Sequence, residues 1–316
     1  MFYGIMISVG SNPYLSPDYV PQKKETDVNA VSNPACDGYK KITGGQIKDI
    51  LATPQLMRSD CYLVSTLKAL AKSGFGKQML KNSIKTSADG DTFEVQFKKY
   101  DDKNSYTVKN DSTYEGITGR HKFNPTGAVE SATNYLVQDK FNAKPLTVRI
   151  SDFFSLEGVP VEYNSASVYM ENLTGKKPVS LGDDGFLSLS HRKEEAVKLL
   201  DKIGELPINR HSFVAGSKLF GTKDDIGSKH YYVVKKVDKD KKEVHLVNPR
   251  YADLTKGNIE KEIEIDLKND GCSSDSVEIC KNEINNMPKV YKLSYEQFLK
   301  NFRSLVGYFD EKSSKK

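Results

Sequence analysis

The sequence predicts an α+β fold of two lobes, a helical lobe over residues 41–195 and an antiparallel β lobe over 196–316, preceded by an arm at 1–40. Three observations predict it. Apolar residues recur at three- and four-residue spacing through much of the first half, the mark of amphipathic helices. After about residue 205 the chain turns to short, β-branched segments bounded by turns. At 316 residues with 37% hydrophobic and 28% charged, it has apolar material for a sizeable core, built on Tyr, Phe, Leu and Val because Trp is absent.

Taken in order, "SNPYLSPDYVPQKKETD" offers turns without a sustained period, so residues 1–40 read as an extended arm or a propeptide. "TGGQIKDILATPQ" brings a short helix stopped at the turn at Pro54. Leu63, Leu67, Leu70 and Ala71, with Val64 beside them, then describe one helical face, capped at Ser59 or Asp60 and ended by Gly74 and Gly76. "GKQMLKNSIK" adds a turn or two. "DTFEVQFKKY" and "NSYTVKND" alternate on either side of "DDK" as a hairpin does. "GAVESATNYLVQDKF", "ASVYMENLTG" and "HRKEEAVKLLDKIG" read as helices, the last stopped at Gly204. "SFVAGSK", "HYYVVKKVD", "KEVHLVNPR" and "EKEIEID" read as strands, and "LSYEQFLKNFRSL" as a capped helix. No internal repeat is present.

The net charge of +5 is the balance of 47 basic and 42 acidic residues, with the lysines scattered among acids. A nucleic-acid partner is therefore not expected, since the clustered basic footprint is missing. No run reaches the ~18 apolar residues of a membrane span. The start, "MFYGIMISVG", lacks a basic region and a cleavage pattern, which favours the cytoplasm, with secretion as the alternative. Four cysteines, Cys36, Cys61, Cys272 and Cys280, are too sparse for a disulfide scaffold. Cys272 and Cys280 are spaced for a local disulfide, which would favour an oxidising compartment, and their spacing without a nearby His does not suit zinc. "SGFGKQ" lacks the second half of a phosphate loop. "NDS" at Asn110 and "NLT" at Asn172 are glycan acceptors only in a secreted eukaryotic chain.

One constellation carries chemistry. Cys61 falls in the first turn of its helix, where unpaired N–H groups and the positive end of the dipole favour a thiolate. A buried structural thiol would look the same on this segment alone. Gln55, six residues earlier across a turn, is placed to swing its amide beside the Cys61 N–H as an oxyanion hole. His230 opens a strand after the loop "GTKDDIGS", and Asn248 ends the next strand before Pro249. With "DKDK" as the hairpin turn those two strand ends come side by side, so the Asn carboxamide can orient the imidazole. His211 is the one rival base; His121, His191 and His245 have less to recommend them.

Gln, five residues, Cys at a helix start, then His on one strand and Asn-Pro at the end of the next resembles the papain-like cysteine peptidases, nearest to the calpain-type catalytic core. "QLMRSDCYLV" is similar to the calpain nucleophile segment at Gln55, Asp60, Cys61, Tyr62, Leu63 and Val64, "KHYYVV" to its histidine segment and "NPRY" to its asparagine segment. "LSYEQFLKNF" from Leu293 matches a closing helix start that is independent of the chemistry. The resemblance departs from the family at Ser59, a glycine there, and at Arg250, a shielding tryptophan there.

The resemblance implies a papain-like two-lobed fold with the active-site cleft between a helical and an antiparallel β lobe. It implies a cysteine endopeptidase acting on a protein or peptide substrate, with Cys61 as nucleophile, His230 as base, Asn248 as orienter and Gln55 in the oxyanion hole. No cofactor is expected; calcium dependence stays open through the family, with no ligand segment identified. Three alternatives remain. They are an inactive papain-like binding or scaffolding module, a bacteriocin-processing-type peptidase (domains about half this length that prefer Asp where Asn248 stands), and a transglutaminase-like acyltransferase.

Overall fold

A computed structural model describes residues 38–53, 61–100, 105–109, 124–141, 165–182, 188–249 and 290–310. The fold is α+β with two antiparallel sheets. The first part carries β1 (Lys40–Lys41), α1 (Gly44–Ala52), α2 (Cys61–Lys72), α3 (Gly74–Ser83), β2 (Ile84–Thr86), β3 (Thr92–Gln96), β4 (Ser105–Lys109), α4 (Pro125–Phe141) and α5 (Ala166–Thr174). Its four strands form a sheet in the order β1-β2-β3-β4, so this part is less purely helical than the sequence suggests. The hairpin read at "DTFEVQFKKY" and "NSYTVKND" is β3 and β4, with Glu94 opposite Thr107.

The second part carries β5 (Val179–Leu181), a 3₁₀ turn at Leu189–Arg192, α6 (Lys193–Gly204), β6 (His211–Ser217), β7 (Tyr231–Asp238), β8 (Glu243–Val247), β9 (Val290–Ser294), α7 (Tyr295–Asn301) and β10 (Phe302–Phe309). Its six strands are ordered β5-β10-β6-β7-β8-β9. Leu181 and Leu189 already belong to the core of this part, ahead of the 195/196 division read from the sequence.

Local chemistry explains most boundaries. Thr43 and Ser294 each form a capping box with a Gln at the third helical position, Gln46 and Gln297. Asn124 accepts from Thr126 and Gly127 N–H at the start of α4, where Pro125 needs no donor partner. The Gly74 and Gly76 expected as stops instead lie inside α3. Ser73 breaks the chain between the two helices and accepts from Gly76 N–H at 3.0 Å. A side chain at Gly76 would sit 2.4 Å from the Leu70 carbonyl oxygen, so the helices meet there only because Cβ is absent. The helix read through Leu305 ends at Asn301, and Phe302–Phe309 runs instead as a strand between β5 and β6.

The six-stranded sheet is covered on both faces, and alternation sorts its side chains between two cores. Val214, Tyr231, Val233, Val306 and Tyr308 join the core built with α1 to α5. Phe213, Ala215, Tyr232, Val234 and Leu305 join the core built with α6 and α7. Helix α2 lies on the first face and runs in step with β7. Cys61 meets Lys229, Ser65 Oγ donates to the Tyr231 carbonyl at 3.0 Å, and Lys72 Nζ donates to the Val234 carbonyl at 2.8 Å and to that of Lys235. Eleven helical steps and five strand steps both span about 16 Å, so the two elements keep register along their length.

Candidate functional site

That register places the first residue of α2 beside Lys229, just ahead of β7. Cys61 is a thiol, 7% exposed, and its Sγ–H donates to the Lys229 carbonyl at 3.9 Å. Lys229 is the residue before His230. Cys61 is also the first residue of a 12-residue helix, so the helix dipole acts on its sulfur.

His230 (8% exposed) and Asn248 (2%) meet where the adjoining ends of β7 and β8 come together. The hairpin produces this. Asp238 Oδ1 accepts from Lys241 N–H in the turn, where Lys242 takes a left-handed φ of 52°, and Val233 pairs with Val247. Continuing that register sets Asn248 beside Tyr232, one diagonal step from His230 on the same face. The His230 Nε2 to Asn248 Oδ1 distance is 2.8 Å. A carboxamide oxygen only accepts, so the bond places the proton on Nε2 and selects the tautomer whose lone pair is on Nδ1.

The backbone and ring of His230 are held by residues the sequence did not single out. Ser217 N–H donates to the His230 carbonyl at 2.8 Å, His230 N–H donates to Ser217 Oγ at 2.9 Å, and that hydroxyl donates to the Gly227 carbonyl at 2.6 Å. The Tyr232 ring stands edge-on to the imidazole, centroids 4.8 Å apart at 86°, and its hydroxyl accepts from Gly227 N–H at 2.9 Å. Tyr232 is in turn packed edge-on against Tyr291 and Phe302. Only a small polar residue at a strand end and alternate aromatics in "HYYVV" hint at these roles in sequence.

The rival base is separated from the thiol. Because β6 runs antiparallel to β7 and Ser217 abuts His230, His211 lies six strand positions away, about 20 Å, at the far end of α2. There it is 1% exposed, with Nδ1 lacking a hydrogen-bond partner. Burial, with the Lys72 charge adding to it, pushes its pKa down to about 4. Lys72 is itself pushed down to about 7, by burial first and then by Lys235. His245 lies on the opposite face of β8 from Val244 and Leu246, as the alternation predicts. His191 sits in the 3₁₀ turn before α6, against Ser188.

Gln55, Cys36, Cys272, Cys280, His121, Arg250, the strand read at "EKEIEID" and the arm up to residue 37 lie outside the described residues. Asn172 is buried on α5, which leaves no room for a glycan there. Among the described residues no group of three or more His, Cys, Asp or Glu could hold a metal ion, and no helix is long and apolar enough to cross a membrane. Compared with protein-family models and with curated protein sequences, the chain matches none.

Proposed function

We propose that the chain is a cysteine endopeptidase of papain-like, two-lobed architecture, nearest to the calpain type, with Cys61, His230 and Asn248 as its triad. The observation that carries the reading is the buried 2.8 Å bond from His230 to Asn248, formed at the strand end whose preceding carbonyl receives the Cys61 thiol. The chemistry needs a nucleophile, a base and an orienting acceptor, and these are the three residues that the spacing in the sequence singled out.

In this mechanism the Cys61 thiol gives its proton to His230 Nδ1, and the thiolate attacks the carbonyl carbon of a peptide bond. The oxyanion is held by the Cys61 N–H and, by the family resemblance, the Gln55 amide. As the tetrahedral intermediate collapses, His230 returns the proton to the departing amine and a thioester remains on Cys61. Water, activated by the same imidazole, hydrolyses the thioester and restores the thiol. Asn248 keeps the ring in one tautomer and orientation throughout.

The test is hydrolysis of a peptide library by the wild type and by Cys61→Ala, each with and without calcium. Cleavage by the wild type that Cys61→Ala abolishes supports the reading. Peptides that bind the wild type without being cleaved in either condition would assign the chain to the inactive, binding class instead.

A further inference from the structure

We infer that Asn301 is a positioning residue for the Cys61 site, acting through a hydrogen-bonded relay that joins the end of α7 to the thiol. The inference rests on Cys61 being the nucleophile proposed above. The relay has three links. The Asn301 carbonyl accepts from Lys218 N–H at 3.0 Å, the Lys218 carbonyl from Lys229 N–H at 2.9 Å, and the Lys229 carbonyl from Cys61 Sγ–H at 3.9 Å. Each link enters a residue by its N–H and leaves by its own carbonyl, so a displacement at Asn301 is passed mechanically through Lys218 and Lys229 to the thiol.

The Asn301 side chain fixes the loop that these links cross. It is 0% exposed. Its Oδ1 accepts from Lys223 N–H at 2.7 Å, and its Nδ2 donates to Asp224 Oδ2 at 2.8 Å and to the Gln297 carbonyl at 3.0 Å. Gln297 Nε2 donates to the other Asp224 oxygen at 3.3 Å. The loop needs such a hold, because Asp224 (φ 60°), Asp225 (φ 59°) and Lys229 (φ 54°) all take left-handed conformations that cost an L residue energy. The strained residue nearest the site, Lys229, carries the carbonyl that receives the thiol and precedes the base His230. Slackening the loop therefore alters the environment of the thiol and the position of the imidazole together.

The experiment measures the rate of Cys61 alkylation by iodoacetamide from about pH 5 to 9. N301D sets a carboxylate against that of Asp224 and against the Gln297 carbonyl, both of which the Asn301 amide now serves as donor. D224A removes an exposed carboxylate and leaves the core untouched. N301D and D224A are expected to slow alkylation at pH 6 about tenfold and to move the profile toward the ~8.5 of an ordinary thiol. A merely structural role would lower the melting temperature without moving the profile.

Wild-type profiles in both N301D and D224A would overturn the inference. Should N301D not fold, D224A decides alone. If wild-type Cys61 itself shows the ordinary thiol profile, the peptidase reading falls and the inference with it; if only the variants fail to respond, the inference falls alone.

Discussion

His230 Nε2 donates to Asn248 Oδ1 at 2.8 Å across the adjoining ends of β7 and β8, two residues that the hairpin brings together from eighteen positions apart. The bond is buried, so removing the acceptor would leave a desolvated donor and an imidazole with no fixed tautomer. In the peptidase reading Asn248→Ala lowers kcat/KM by roughly 5- to 150-fold, the rate equivalent of the ~1–3 kcal/mol such a loss costs. Initial rates on a cleaved peptide check this, with circular dichroism as the folding control.

Stability should fall on the acid side through His211. Its folded pKa of about 4 lies below the ordinary 6.5, so between those values the unfolded chain takes up a proton that the folded chain refuses. Stability is then lost as pH drops through that window, by up to about 3 kcal/mol, and His211→Gln should flatten the loss. Lys72, at about 7 against 10.5, acts at higher pH with the same sign: stability rises as pH climbs from about 7 to 10.5. Urea titrations at a series of pH values read both.

The meeting of α2 and α3 predicts a contrast between two neighbouring glycines. Gly76→Ala places a methyl 2.4 Å from the Leu70 carbonyl oxygen, a backbone atom, and should cost roughly 1–3 kcal/mol. Gly74→Ala meets nothing within 4 Å and should be neutral or slightly stabilising. Thermal melts of the two variants compare them directly.

Two phenylalanines make a similar pair. Phe220 is 71% exposed on the loop before His230, whereas Phe298 is fully buried and stacks on Phe302 at 4.6 Å. Phe298→Ala should cost about 3–5 kcal/mol and Phe220→Ala close to nothing, as chemical denaturation will show.

Much of this architecture was legible in the sequence where one physical signal dominated. The α2 helix, the α6 helix ending at Gly204 and the β7–β8 hairpin were readable because apolar residues recur at helical spacing in the first two and a charged turn separates two β-branched runs in the third, although α2 and the first half of β7 are buried on all sides. β10 was not, because Phe302–Phe309 is buried on both faces and shows no alternation after the helix that precedes it. β1, β2 and β5 are two or three residues long and carry too little pattern to read.

The same division applies to the site. His230 and Asn248 could be paired because a hairpin ties chain spacing to spatial proximity. Ser217, Tyr232 and Asn301 acquire their roles from contacts between β6, the 218–229 loop and α7, which chain spacing does not encode.

The most direct test of the central claim is the pH profile of Cys61 alkylation in the wild type and in His230→Ala, with the labelled residue located by mass spectrometry. An activated thiolate predicts fast labelling at Cys61 that persists well below the ~8.5 of an ordinary thiol and is lost in His230→Ala. Slow labelling centred near ~8.5 in both proteins would contradict it and leave Cys61 a structural thiol.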